Sequence, residues 1–150
     1  MSTIAEDELM EIVEVVWMTV LQLPIRAADD SSHLDGEILT ADIEISGAWH
    51  GVVSLKASKE LLAAAASVMF SKDVGEVNTV DCTDTLTELT NMLGGTVKCL
   101  LPETCDLSLP HIESGASEQD ISHDWTHFEC ESHRFAVAVT ERAADTRNVA

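Results

Sequence analysis

Apolar residues recur at helical spacing in three segments of the chain, residues 2–23, 58–70 and 81–101. The first segment has Ser2 or Thr3 as a cap and ends just before Pro24, and the second has Ser58 as its N-cap. The positions expected to be buried are Leu9, Ile12, Val13, Val16 and Val20 in the first helix, Leu61, Leu62, Ala65, Ala66, Met69 and Phe70 in the second, and Leu86, Leu89, Leu93, Val97 and Leu100 in the third.

Alternation of apolar and polar residues predicts five strands. Residues 37–45 and 50–57 form one hairpin, residues 105–109 form a single strand, and residues 124–131 and 134–140 form a second hairpin through Ser132 and His133. Trp49, in the first turn, either packs at the rim of the core or is an exposed contact for a partner, and packing at the rim is favoured.

The remaining segments are predicted to be loops or a frayed end. Residues 27–35, 71–79 and 113–119 are polar connections, and residues 141–150 form a polar tail. The predicted order is one helix, two strands, two helices and three strands. Such blocks indicate a single α+β domain over residues 1–150, with a largely antiparallel sheet packed against long amphipathic helices.

Acidic residues dominate the composition. The chain has 27 Asp plus Glu against 8 Lys plus Arg, a formal net charge of −19, and no run of 18 apolar residues. Nucleic acids and anionic membrane surfaces are therefore excluded as primary partners, and no membrane span is expected. No arginine cluster could clamp a phosphate, so chemistry on a phosphate would need cations from elsewhere.

Cysteine usage points to a reducing compartment. Cys82, Cys99, Cys105 and Cys130 form no C-x-x-C pair, and acidic residues fill the N-terminal region where a signal peptide would be basic. A cytoplasmic protein with reduced thiols is therefore predicted.

The polar side of the third helix is the main candidate for a functional surface. Opposite its apolar stripe lie Asp84, Glu88, Asn91, Gly95 and Lys98. Asparagine is a poor helix former, and each glycine inside a helix costs roughly 1 kcal/mol relative to alanine. Close approach of another backbone, from this domain or from a partner, would explain the paired glycines 94 and 95. The alternative is an ordinary solvated helix face.

The sequence Glu88-Leu89-Thr90-Asn91, an E-x-x-N motif followed by Met92, Gly95 and Lys98, resembles the CheX/CheC family of chemotaxis phosphatases most strongly over residues 81–102. The resemblance implies an α+β fold and a phosphatase that dephosphorylates a CheY-like response-regulator receiver domain. It further implies that Asn91 orients the attacking water and that Glu88 engages the receiver's active-site lysine.

The same resemblance assigns the remaining partner contacts. Asp84, Gly95 and Lys98 would complete the surface that binds the receiver. Mg²⁺ is expected in the receiver, with no cofactor bound by this chain. CheC-type members carry two E-x-x-N motifs, whereas this sequence has one, and Glu11 to Glu14 stand where a second would lie in the first helix. A single motif resembles the CheX branch, whose members pair as homodimers.

Two other functions stay open at this level. One is a non-catalytic module of the same fold that senses or sequesters a signalling partner. The other is a metal-dependent sensor built on His123, His127, Cys130 and His133, with His111 earlier, because histidine and cysteine are zinc ligands. On an extended strand, however, His127 and Cys130 point to opposite faces, so no metal site is predicted.

Overall fold

The computed structural model describes residues 4–28, 36–101, 104–114 and 125–142. Its helices are α1 (Glu6–Val20), α2 (Lys59–Phe70) and α3 (Thr79–Leu100), with a 3₁₀ turn at Val74–Glu76 between the last two. Its strands are β1 (Arg26–Ala27), β2 (Ile38–Gly47), β3 (Gly51–Ser58), β4 (Cys105–Leu107), β5 (His111–Ser114), β6 (Thr126–Cys130) and β7 (His133–Glu141). None of the helices in the described ranges is both long and apolar enough to cross a membrane.

The strands form one seven-stranded sheet in the order β1-β6-β7-β3-β2-β4, and β5 also pairs with β2. Every described strand pair is antiparallel. Both predicted hairpins, β2–β3 and β6–β7, are confirmed. Glu131 and Ser132 in the second turn have φ values of 48° and 70°, which matches the twist that a two-residue hairpin turn requires. The antiparallel α+β fold is as the sequence indicates.

One face of the sheet forms the core with the helices. Ile43, Leu55 and Val137, which lie on that face, are fully buried. The Trp17 ring of α1 stacks on the Phe135 ring of β7 with centroids 4.3 Å apart. Because α3 also packs on β2 and β3, the arrangement leaves one long side of α3 directed away from the sheet.

Helix boundaries differ from the predictions at several points. Helix α1 ends at Val20 instead of about Leu23, because Gln22 adopts a left-handed conformation with φ 56° that stops the helix. The predicted cap of α2 is confirmed, since Ser58 Oγ accepts from the Leu61 N–H at 3.1 Å. Ser2 and Thr3, the predicted caps of the first helix, lie outside the described residues, and Ala5 occupies the N-cap position.

Two residues predicted to be buried are exposed. Phe70 is 39% exposed and Leu100 is 53% exposed, and each is the last residue of its helix. Helical periodicity assigns both to the apolar side, but the periodicity does not say where the neighbouring sheet ends. Trp49 is only 8% exposed and belongs to the core, which supports the rim interpretation.

Two strands were not predicted. β1 has two residues and β5 has four, and they pair with β6 and β2 respectively. The predicted loop at 113–119 was wrong where β5 extends to Ser114, and β7 continues to Glu141 where a frayed tail was predicted. Residues 143–150 of that tail lie outside the described residues.

Candidate functional site

Helix α3 is amphipathic, with an apolar side and a polar side. Leu86, Leu89, Leu93 and Val97 are buried against the rest of the core. The five residues singled out from the sequence all lie on the outward side, which we call the α3 stripe: Asp84, Glu88, Asn91, Gly95 and Lys98. Asp84 and Glu88 are exposed, and the other three are half-buried.

Glu88 and Asn91 lie close together on this stripe. Three residues of α-helix separate them by about 4.5 Å along the axis and roughly 60° around it. Neither side chain has a hydrogen-bond or ion-pair partner among the residues that the structure describes. The pair therefore presents an acceptor carboxylate and a carboxamide that both donates and accepts, with neither committed to the fold.

The stripe lies on a helix surface, which is convex. A small cavity of about 60 Å³ lies elsewhere, beside the start of α2, and is lined by Ser58, Glu60, Ser132, His133 and Arg134. No stripe residue lines that cavity. A substrate acted on by Glu88 and Asn91 on this convex surface would have to supply its own cleft, as a macromolecular partner can.

Hydroxyl groups near the pair are engaged by the helix itself. The Thr87 hydroxyl donates to the Thr83 carbonyl at 2.9 Å, and the Thr96 hydroxyl donates to the Met92 carbonyl at 2.8 Å. Such bonds to the preceding turn hold the hydroxyls against the backbone. The exposed thiol of Cys99 is eight residues beyond Asn91, about 12 Å along the axis. The surroundings of Asn91 thus suit orientation of a reactant more than covalent catalysis.

The two glycines of α3 serve different purposes. A Cβ added at Gly94 would lie 2.9 Å from Ile43 Cγ2 and 3.3 Å from Leu107 Cδ2, so Gly94 allows the helix to pack closely on β2 and β4. A Cβ added at Gly95 would meet nothing within 4 Å. Packing among the described residues therefore accounts for Gly94 and gives no reason for Gly95, which lies on the stripe one turn after Asn91.

Alanine substitutions at these positions are expected to change stability in opposite directions. Gly95→Ala gains helix propensity without a clash, whereas Gly94→Ala must displace the branched Ile43 side chain. We expect the free energy of unfolding of Gly95→Ala to exceed that of Gly94→Ala by about 2 kcal/mol. Urea denaturation followed by circular dichroism measures both, and equal values would contradict this assignment.

The start of α3 is anchored by polar contacts. The Asp81 N–H donates to Asn78 Oδ1 at 2.8 Å, and the Asn78 N–H donates to Asp81 Oδ2 at 3.2 Å, which forms a capping box. Lys72 Nζ, from the α2–α3 connection, donates to the same Asp81 oxygen at 2.9 Å. These bonds fix the first turn of the helix that carries the stripe.

The charge of Asp81 makes the stability of this anchor depend on pH. The Lys72 ammonium, together with the Asn78 N–H, holds the pKa of Asp81 below its ordinary value of 3.8. The stabilisation is therefore complete above that value and is lost as the pH falls through the lower folded pKa. Between pH 7 and pH 3, we expect the wild type to lose more stability than Asp81→Asn, measured by urea denaturation. Asp84→Asn, on the exposed stripe, is the matched control for the loss of one carboxylate from α3.

The histidine and cysteine group does not assemble into a site in the described ranges, where no three His, Cys, Asp or Glu residues are arranged to hold a metal ion. His123 lies outside the described residues. Cys130 shares its face of β6 with the buried Phe128, whereas His127 is on the other face. Burial, aided by the charge of Glu131, raises the pKa of the Cys130 thiol to about 11, which disfavours the thiolate that metals bind.

Helix α1 packs beside α3 and offers no second copy of the pair. Glu11 and Glu14 of α1 are both exposed, so a carboxylate stands where an asparagine would be needed. A carboxylate accepts hydrogen bonds but does not donate them.

One exposed residue of this region was missed in the sequence. The predicted helix begins at Asp81, but α3 begins at Thr79, which places Val80 in its first turn with 65% of its surface exposed. The pattern Asn78-x-x-Asp81, a capping box, was the signal that could have located this start.

Comparison with known proteins gives consistent matches. A family model described as chemotaxis phosphatase CheX matches residues 39–127. Similar solved structures include CheX from Vibrio vulnificus (19% identity, TM-score 0.74, 95% of this chain and 100% of that chain covered). A CheC-like superfamily protein from Shewanella sp. PV-4 is also similar, with 16% identity, a TM-score of 0.71, and 95% of this chain and 100% of that chain covered. The CheX–CheY–BeF₃–Mg²⁺ complex from Borrelia burgdorferi matches with 13% identity, a TM-score of 0.67, and 90% of this chain and 96% of that chain covered. No curated protein sequence matches significantly.

Proposed function

This chain belongs to the CheX family of chemotaxis phosphatases, whose model spans more than half of it, and we propose that it stimulates hydrolysis of the aspartyl phosphate of a CheY-like receiver domain. The observation that carries the proposal is the uncommitted Glu88–Asn91 pair on a convex helix. The structurally similar CheX–CheY–BeF₃–Mg²⁺ complex, in which such a fold meets a receiver, supports the choice of partner.

Asn91 acts on the attacking water. In the hydrolysis, the water oxygen forms a bond to phosphorus while the bond between phosphorus and the aspartyl oxygen breaks, which yields inorganic phosphate and a free aspartate. A water held in line needs a neutral group that both accepts and donates a hydrogen bond, and the Asn91 carboxamide does both. Inserting this side chain into the receiver's cleft replaces random approach of water by a fixed geometry.

Glu88 holds the two surfaces in register. Its carboxylate, one turn before Asn91, pairs with the active-site lysine of the receiver and so fixes where Asn91 enters. Asp84, Gly95 and Lys98 provide further contacts along the stripe. The missing side chain of Gly95, which has no packing role within the described chain, lets the receiver's backbone approach the helix closely.

The receiver supplies the cations that this acidic chain lacks. Mg²⁺ and lysine in the receiver neutralise the phosphoryl oxygens, and the chain itself binds no cofactor in this proposal. We further propose, from the resemblance to the CheX branch, that the chain works as a homodimer in the cytoplasm, where its receiver partner is found. Sedimentation equilibrium of the purified chain tests the dimer, and a monomer at micromolar concentration would contradict it.

A phosphate-release assay tests the proposed function. A CheY-like receiver phosphorylated with a small phosphodonor is separated from the donor and followed with and without the purified chain. We expect the receiver's phosphate to be lost faster when catalytic amounts of the chain are present. A rate equal to that of the receiver alone would contradict the function, and binding without faster loss would identify a non-catalytic partner module.

A further inference from the structure

Val80 extends the α3 stripe toward the N-terminus of the helix. It lies four residues before Asp84 and eight before Glu88, about 12 Å along the axis from the latter and roughly 80° around it. Asn91, eleven residues after Val80, lies only roughly 20° from it around the axis, so the two residues are on the same side of the helix. At 65% exposure, Val80 is the most exposed apolar residue of α3.

Folding does not explain a valine at this position. Val77, three residues before Val80, is partly buried and packs against the core, whereas Val80 belongs to neither the core nor the residues packed on it. Valine is also a weaker helix former than alanine. The Asn78–Asp81 capping box and Lys72 nevertheless hold this turn in place, so the side chain is displayed on a fixed support.

A receiver that engages Glu88 and Asn91 needs a larger footprint than one helical turn. Specific protein interfaces bury roughly 800 Å² on each partner, and their affinity rests on a few apolar anchors inside a polar rim. Along the outward side of α3, Val80 is an apolar residue that is free of the core. Asp84, one helical turn after Val80, is an exposed carboxylate at the polar edge of this surface.

We propose that Val80 is an apolar anchor for the same receiver domain, one that sets the affinity of the complex without entering the chemistry. The inference rests on the proposed function, since continuity with Glu88 and Asn91 identifies the occupant. A second copy of the chain fits this surface less well, because a two-fold contact centred on Val80 would bring the exposed Asp84 carboxylates of the two copies close together.

The test compares two neutral substitutions on the same helix. Val80→Asn removes the apolar anchor, and Leu100→Asn makes the same kind of change at a residue 53% exposed on a different side of α3. We expect Val80→Asn to raise both the Kd for the beryllofluoride-activated receiver and the KM for dephosphorylation about tenfold, with kcat unchanged. Leu100→Asn should match the wild type in all three quantities.

The outcomes separate this inference from the function on which it rests. A wild type that binds and dephosphorylates the receiver, with Val80→Asn equal to it, would overturn the role of Val80 alone. A Val80→Asn variant that changes only the self-association of the chain would overturn it in favour of a second copy. A wild type that neither binds nor dephosphorylates any receiver would overturn the proposed function and this inference together. Thermal melts of both variants show whether each is folded.

Discussion

Replacing Asn91 with alanine is expected to lower the stimulated dephosphorylation rate by about 100-fold or more while the chain still binds its receiver. The reason is that the alanine leaves the attacking water without its orienting carboxamide, and misplacement of a reactant by about 1 Å costs on the order of 100-fold in rate. Glu88 remains to hold the complex. Single-turnover loss of phosphate from the receiver, at saturating chain, measures the rate separately from binding.

Stability should not account for this loss. Asn91 makes no side-chain bond to described residues, and alanine is the better helix former by roughly half a kcal/mol, so the variant should be at least as stable as the wild type. Asn91→Asp is the matched control. It keeps the shape and the acceptor but removes the donor, and we expect it to be as slow as alanine. Full activity of Asn91→Ala, or of Asn91→Asp, would contradict the role assigned to the carboxamide.

Reversing the charge of Glu88 is expected to weaken the complex itself. In Glu88→Lys, the new ammonium group would face the ammonium of the receiver's active-site lysine, where the wild-type carboxylate would form an ion pair. Loss of a desolvated charge pair at an interface costs about 2 kcal/mol or more, which corresponds to a Kd raised at least about 30-fold. Titration of the beryllofluoride-activated receiver by fluorescence anisotropy gives this Kd directly.

Glu14→Lys on α1 controls for the change in overall charge. Glu14 is exposed like Glu88, and both substitutions alter the net charge equally. If Glu88 makes a specific pair, only Glu88→Lys raises the Kd strongly, and the effect persists at high salt better than a long-range effect would. Equal losses in the two variants would show that Glu88 contributes only general attraction. An unchanged Kd in Glu88→Lys would exclude it from the interface.

The two variants together separate catalysis from recognition. Asn91→Ala should lower the rate at saturation, whereas Glu88→Lys should mainly lower affinity, because an interaction made only in the transition state affects kcat and one made in the bound state affects KM. A chain that binds the receiver, also after Asn91→Ala, while phosphate is lost at the rate of the receiver alone would be the non-catalytic module that the sequence leaves open.

The sequence by itself determined the helices, the two hairpins and the polar stripe of α3, because these depend on periodic burial within single segments. Glu88 and Asn91 fall on the outward side as their spacing predicts. The strands β1 and β5 could not be read in the same way. With two and four residues they are too short to show a period, and they form as edge additions to β6 and β2.

Only the tertiary structure decided what each position of the stripe faces. The adjacent glycines look alike in the sequence, yet a Cβ at Gly94 would meet Ile43 and Leu107, whereas one at Gly95 would meet none of the described residues. Leu100 and Phe70 lie on apolar sides but at helix ends, where the core no longer covers them. Periodicity gives the direction of a side chain from the helix axis, whereas burial depends on which distant segment lies there.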